Sequence, residues 1–311
     1  MQDIALIIST TLMYSTPLIF AALGGVFSEN SGIVNIGIEG MMTIGAFAGA
    51  AAGYMLGNPW LAFIIGGLAG GLFALVHALA TVTFNADHTI SGVAINLLAP
   101  GVALFACKIL FNGSVTTPTI AMENKIPRPL NGVFESGSIL DTIFNTYATT
   151  YIALALIVVV WFVLYKTKFG LRVRAVGEHP GAADTLGINV SRVRYISVIL
   201  SGILAGIGGA SMSLAIVSTF KPALISGQGY IALAAVICGK WRPQWAGAAC
   251  LLFGFSTGLT VYLGNPSLGM TINENLLSML PYIVTLVMLV LFVRTSKAPA
   301  ALGNPYKKGE R

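Results

Sequence analysis

Residues Lys166 to Arg194 read KTKFGLRVRAVGEHPGAADTLGINVSRVR and hold six of the seventeen basic residues of the chain. Long apolar stretches flank the segment on both sides, and only 9% of all residues are Asp, Glu, Lys or Arg. A Lys- and Arg-rich loop between membrane spans stays on the cytoplasmic side, so this segment orients the whole chain. Its interior, Glu178 to Ile188, is suited to a short helix on the membrane surface, where a cytosolic partner can grip it.

A soluble domain carries about a quarter charged residues. This chain of 311 residues is 56% apolar and contains 36 glycines. The composition predicts an all-α polytopic membrane protein, one transmembrane domain over 1–311. Within it lie the loop 166–194 and a polar tail, 295–311. The net charge of +6 sits in loops and tail, as cytoplasmic membrane flanks require, so it points to the lipid bilayer and away from nucleic acid. Cys107, Cys238 and Cys250 lie far apart in apolar runs and read as small core fillers. The first apolar run starts at Ile4 with no basic residue before it, so it reads as a retained span and not a secretory signal.

A span needs about 20 apolar residues to cross a hydrocarbon core about 30 Å thick. That rule predicts nine spans, roughly 4–27, 33–57, 59–84, 89–112, 147–165, 195–217, 227–240, 244–263 and 277–294, the seventh too short to cross as a straight helix. Counting outward from the basic loop puts 113–146 and 265–275 outside. The turn Lys240-Trp241-Arg242-Pro243 falls inside, as does the tail with Arg294, Lys297, Lys307, Lys308 and Arg311. The N-terminus is then external and the C-terminus cytoplasmic. GAFAGAAAG (45–53), GGLAGG (66–71) and GILAGIGGAS (202–211) set small residues at spacings of three and four, which lets helices approach closely in lipid. GIEGMMTIGA (37–46) and GYIALAAVIC (229–238) match weakly and run in opposite directions. An inverted repeat built on broken helices gives that pattern.

No G-x-x-x-x-G-K-[ST] phosphate loop occurs, so a nucleotide site of that kind is not expected. His77, His88 and His179 are scattered, with no catalytic set and no metal cluster; His77 reads as a bundle-facing hydrogen-bonding residue, with a proton relay as the rival. The stretch Glu29 to Gly40, ENSGIVNIGIEG, places Glu39 in an otherwise apolar run, where an ionised carboxylate is expensive unless paired or hydrated. Two readings stand: a polar part of a solute path or gate, and a capped interfacial turn. Asn35, Asn96, Gln228 and Tyr230 complete the candidate path residues; each can bind a neutral polar solute or join helices.

GIVNIGIEGMMTIGAF (32–47), TISGVAIN (89–96), VRAVGEHPGAADTLGINVSRVRYISVILSGILAGIGGA (173–210) and IALAAVICGKW (231–241) resemble the permeases of bacterial ABC importers of the branched-chain amino acid/ribose type. The resemblance covers nearly all of 15–295 and is nearest to the nucleoside and simple-sugar branch. It implies a type II importer permease in the bacterial cell membrane. Its partners would be a second, different permease chain, ABC ATPase subunits and an extracellular substrate-binding lipoprotein. This chain would hold no cofactor and do no enzymatic chemistry; ATP would be used by the partner ATPase. The coupling helix would comprise Glu178, His179, Pro180, Ala182, Ala183, Asp184, Thr185, Leu186, Gly187 and Ile188. Simple-sugar and branched-chain amino acid permeases are the alternatives within this reading. An ion-coupled secondary transporter is the rival outside it, disfavoured because only Glu39 and His77 are ionisable within apolar runs.

Overall fold

The computed structural model describes residues 2–135, 137–264, 274–293 and 296–307, and the regular elements among them are all helical. In chain order they are α1 Gln2–Asn30, α2 Ile38–Leu56, α3 Pro59–Ala78, α4 His88–Leu110, α5 Ile139–Phe144 and α6 Ala148–Lys166. After these come α7 Lys168–Glu178, α8 Pro180–Thr185, α9 Val190–Ser211, α10 Gln228–Cys238, α11 Pro243–Leu263 and α12 Glu274–Val293. Short π-turns, Leu79–Thr83 and Met212–Ile216, extend α3 and α9. Six helices are long and apolar enough to cross a membrane: α1, α3 with its π-turn, α4, α6, α9 with its π-turn, and α11. The remaining expected crossings are α2, α10 and α12. Residues 265–273 of the expected outer loop, and Arg294, Lys308 and Arg311, lie outside the described residues.

One expected span starts late and another is as short as its length predicted. The second was expected from residue 33, but helix begins at Ile38, after an irregular segment 31–37 with Gly32 at φ +91°. The seventh is α10, whose 11 residues rise about 16 Å, half a bilayer core. An irregular segment, 217–227, precedes it. Apolar composition alone does not distinguish 33–37 from helix. Irregular backbone persists at such depth only where the protein satisfies its polar groups. For 31–37 the partners are side chains of neighbouring helices: His77 Nε2 meets the Val34 carbonyl at 3.1 Å and Val34 N–H donates to His88 Nδ1 at 3.4 Å. Asn96 Nδ2 donates to the Ile36 carbonyl at 3.0 Å. His77 is therefore the hydrogen-bonding residue of the simpler expectation, its Nδ1 lying 2.9 Å from Ser91 Oγ. The segment 217–227 pairs with the long loop instead, through Ile120 N–H to the Ser218 carbonyl (2.8 Å) and Phe220 N–H to Thr117 Oγ1 (2.9 Å).

The frame of the bundle is α2, α3 and α9 packed through their glycine stripes. A Cβ at Gly206 would overlap the Gly66 carbonyl, and one at Gly209 the Met42 carbonyl. With helix backbones this close, dispersion contacts supply association that the hydrophobic effect does not provide in lipid. The buried cysteines Cys107, Cys238 and Cys250 fill small spaces in the same core.

The two ends of the bundle differ in composition. One gathers the end of α1, the segment α7–α8, Trp241 and the tail: Ala301 N–H donates to the Gly177 carbonyl at 2.9 Å, and Asn30 Nδ2 to the Trp241 carbonyl at 3.0 Å. The other gathers Gln2, which donates to the Gly137 carbonyl, and Tyr54 stacked edge-on to Phe111. The basic loop and the loop 113–146 thus lie at opposite ends, as the alternation of spans requires.

Replacing Gly206 or Gly209 with Leu should cost roughly 1–3 kcal/mol or more by overpacking. Gly101→Leu, where a Cβ meets nothing within 4 Å, should be neutral. Thermal unfolding of the detergent-purified protein measures the difference; equal melting temperatures for all three variants would refute the packing role of the stripe.

Candidate functional site

The helices α2 and α10 both begin inside the bundle, and both have glycine at the N-cap, Gly37 and Gly227, with no capping side chain of their own. Their first-turn N–H groups need acceptors from elsewhere. Glu39 supplies them for α10: its carboxylate accepts from Gly227 N–H at 2.6 Å and from Gly229 N–H at 2.7 Å. Asn96 on α4 supplies one for α2, its Oδ1 accepting from Gly40 N–H at 2.8 Å. The amide of Asn96 also donates to the Tyr230 hydroxyl at 2.9 Å, closing a ring of contacts between α2, α4 and α10. Gly229 must be glycine, because a Cβ there would sit 2.6 Å from Glu39 Cα.

From this contact α2 and α10 diverge, α2 toward the loop 113–146 and α10 toward Glu29 and Asn30. Opposed directions from a shared polar point are what the weak repeat between 37–46 and 229–238 predicts. The charge of Glu39 is spent on backbone donors at a helix N-terminus, the favourable end for an anion. It is not displayed to the surroundings as a free carboxylate. Tyr230 is exposed, Asn96, Glu39 and Gln228 are half-buried, and Gln228 Oε1 is a buried acceptor without a partner among the described residues.

Three of the five candidate path residues, Glu39, Asn96 and Tyr230, therefore come together, and Gln228 lies in the chain between the two backbone donors to Glu39. Asn35 does not join them: it is buried, and its amide donates to Ser201 Oγ on α9 at 3.0 Å. Sequence reasoning missed the backbone donors Gly227 and Gly229, whose signal was the Gly-Gln-Gly spacing. It also missed Tyr282 on α12, which donates to the Ser226 carbonyl at 3.0 Å.

The expected single helix Glu178–Ile188 is two elements. Glu178 ends α7, Pro180 opens α8 at its first turn, and Gly187 at φ +79° stops it. Ile188 N–H returns to the Ala183 carbonyl (3.1 Å) and Gly187 N–H to the Asp184 carbonyl (2.9 Å), a Schellman closure. Ala183 faces inward at 3% exposure, whereas Leu186 stands 82% exposed at the tip. The other loop residues, His179, Ala182 and Thr185, are exposed, with Asp184 half-buried.

The tail is laced into this loop. Ala300 N–H donates to the Glu178 carboxylate at 3.3 Å, Gly303 N–H to the Gly32 carbonyl at 3.0 Å, and Arg194 Nη1 to the Asn304 carbonyl at 3.2 Å. The Tyr306 hydroxyl lies beside the Asp184 carboxylate; desolvation, and then that carboxylate, hold its pKa above the ordinary value.

These features define a polytopic helical membrane protein with two interrupted helices meeting at a polar contact and a structured basic loop at one end. The chain belongs to the family described as branched-chain amino acid transport system / permease component, matched over residues 7–293. It is 45% identical to the guanosine ABC transporter permease protein NupQ of Bacillus subtilis (strain 168), over 100% of this chain and 99% of that one. It is 43% identical to the nucleoside ABC transporter permease protein NupC of Lactococcus lactis subsp. cremoris (strain MG1363), over 99% of both chains. A second Bacillus subtilis protein, the guanosine ABC transporter permease protein NupP, is 28% identical over 97% of this chain and 85% of its own length.

Glu39→Ala leaves the Gly227 and Gly229 donors unsatisfied and should reduce transport about ten-fold or more, a loss of roughly 1.5–3 kcal/mol per charged hydrogen bond. Glu39→Gln retains one acceptor and should fall between Ala and the natural residue. Uptake normalised to membrane-inserted protein is the readout; unchanged uptake in the Ala variant would make the contact structurally and functionally dispensable.

Proposed function

We propose that this chain is the membrane permease subunit of an ATP-driven importer of nucleosides, forming the translocation path and coupling to separate ATPase subunits. The observation that carries the reading is the full-length likeness to permeases named for guanosine and for nucleosides. The polar contact supports it: the exposed Tyr230 phenol, held by the Asn96 amide, is presented there while the Glu39 carboxylate is engaged by backbone donors, a surface suited to a neutral base and ribose. Delivery comes from an extracellular substrate-binding lipoprotein, so this chain needs only weak affinity for its solute.

The second permease chain is a different one. Support comes from the pair of Bacillus subtilis relatives that carry the same solute in their names, and from exposed apolar faces on α4 and α12 that flank the polar contact, including Val93, Leu97, Tyr282 and Ile283. The N-terminus lies outside the bacterial cell membrane and the C-terminus in the cytoplasm, supported by the basic residues Lys168, Arg172, Arg192 and Lys240 at the loop-bearing end.

In this reading α8 and the turn after it are the coupling element seated in an ATPase cleft. Leu186 is the apolar tip that enters, while Ala183 holds the turn to its own protein. The tail gives the loop a mechanical connection to Gly32, seven residues before Glu39. Displacement of the loop by the ATPases then reaches the start of α2 and the Glu39 contact with α10.

Uptake of radiolabelled guanosine and uridine, with and without the cognate ATPase, tests the assignment. Uptake that disappears without the ATPase is expected. Uptake that survives its loss and collapses with the ion gradient would establish an ion-coupled carrier instead. Leu186→Arg should leave the chain in the membrane while lowering ATPase co-purification and uptake about ten-fold, the scale of a lost apolar anchor. Normal co-purification would remove Leu186 from the docking surface.

A further inference from the structure

At the loop-bearing end of the bundle two cavities open on either side of Arg242 and Trp245. The larger, of 820 Å³, lies between α10, α11 and α12 and has three exposed cations at its mouth: Lys240, Arg242 and Lys297. The smaller, of 510 Å³, adds Trp161 and Tyr165 from α6. No carboxylate lines either one among the described residues.

Two of the cations, Lys240 and Arg242, are carried on one turn between α10 and α11. Lys240 and Trp241 both hold positive φ, +53° and +56°. The Trp241 indole N–H donates to the buried Glu29 carboxylate, and its carbonyl accepts from Asn30. Anchored inward through Trp241, the turn presents Lys240 and Arg242 outward.

Behind the cations the lining changes in a fixed order. Trp245, Ala248 and Leu252 follow one another along one face of α11, seven residues or about 10 Å of helix. Met288 and Phe292, one turn apart on α12, form the facing wall. Away from the cations along α11 and α12 the lining passes from aromatic, Trp245 and Phe292, to aliphatic, Leu252 and Met288, the order of interface and acyl chain in a bilayer leaflet.

We propose that this groove is a binding site for an anionic glycerophospholipid, its phosphate held by Lys240, Arg242 and Lys297 and its acyl chains lying on Leu252, Met288 and Phe292. Basic pockets between transmembrane helices recognise acidic lipid headgroups in this way. An acidic protein surface would match the cations alone, because the aliphatic wall runs into the hydrocarbon. A helix of a second permease would match the wall and leave three cations without partners. The inference rests on the membrane-spanning architecture and on neither the solute nor the coupling role of the loop.

The test uses the full-length chain in detergent, its bound lipid measured by intact-complex mass spectrometry after exposure to equal phosphatidylglycerol and phosphatidylcholine. The natural protein should retain phosphatidylglycerol in preference by roughly ten-fold or more, given the attraction of three cations. The variant Lys240→Gln with Arg242→Gln and Lys297→Gln should bring the two lipids close to parity. Lys168→Gln with Arg172→Gln, exposed cations at the same end, should keep the preference. Leu252→Asn should weaken retention of long-chain phosphatidylglycerol. Equal retention of both lipids by the natural protein, or equal loss in the Lys168/Arg172 control, would overturn the site. Displacement of phosphatidylglycerol by millimolar inorganic phosphate would overturn it in favour of a free-anion site. Efficient cross-linking of Trp245→Cys to a second permease chain would show a protein interface there.

Discussion

A carboxylate accepting two backbone N–H groups, Glu39 with Gly227 and Gly229, is the contact on which the remainder of this structure depends. Two helices start within the apolar zone, and neither can cap itself, because glycine occupies both N-cap positions. Unsatisfied N–H groups there would each cost several kcal/mol. Glu39 removes that cost for α10, and in doing so it ties the start of α2 to the start of α10. Asn96 performs the equivalent task for α2 and adds the link to Tyr230. The polar groups that line the candidate path are thus the same groups that make the broken helices tolerable.

Around this contact the bundle is unequal. On one side α2, α3 and α9 pack backbone to backbone through glycine, and dense packing of that kind resists continuous deformation. On the other side α4 and α12 present exposed apolar faces. Motion is easier at a junction of irregular segments than within a glycine-packed frame. The segments 31–37 and 217–227 are such junctions, held by side-chain and loop hydrogen bonds instead of helical ladders. The tail touches Gly32 in one of them and Glu178 in the basic loop, so the two ends of the proposed coupling route are joined by about four residues of chain.

Much of this was legible in the sequence. Composition demanded membrane helices, and the placement of Lys and Arg separated the two ends of the bundle that the fold then assembled. Glu39 announced itself as a carboxylate where hydrocarbon should be. The glycine-containing starts at 37–46 and 229–238 marked both interrupted helices, and the shortness of the seventh span was visible from its length. Residues 33–37 were counted in the second span because hydropathy measures transfer from water. It is blind to whether the backbone is satisfied by its own helix or by His77, His88 and Asn96.

Residue types alone marked the apolar segments, six of which form helices long enough to span a bilayer, and the anomalous polar residues, since each follows from the free energy of placing single side chains in lipid. What those residues bind emerged from the packing of distant segments. The partners of Glu39 are backbone amides far along the chain, and every residue but proline carries one, so no residue type signals them. The same holds for Asn35, drawn into the α9 packing, and for Ala183 and Leu186, three positions apart, one buried and the other exposed. Those outcomes depend on how separate helices meet, and that geometry is set by packing across the whole bundle.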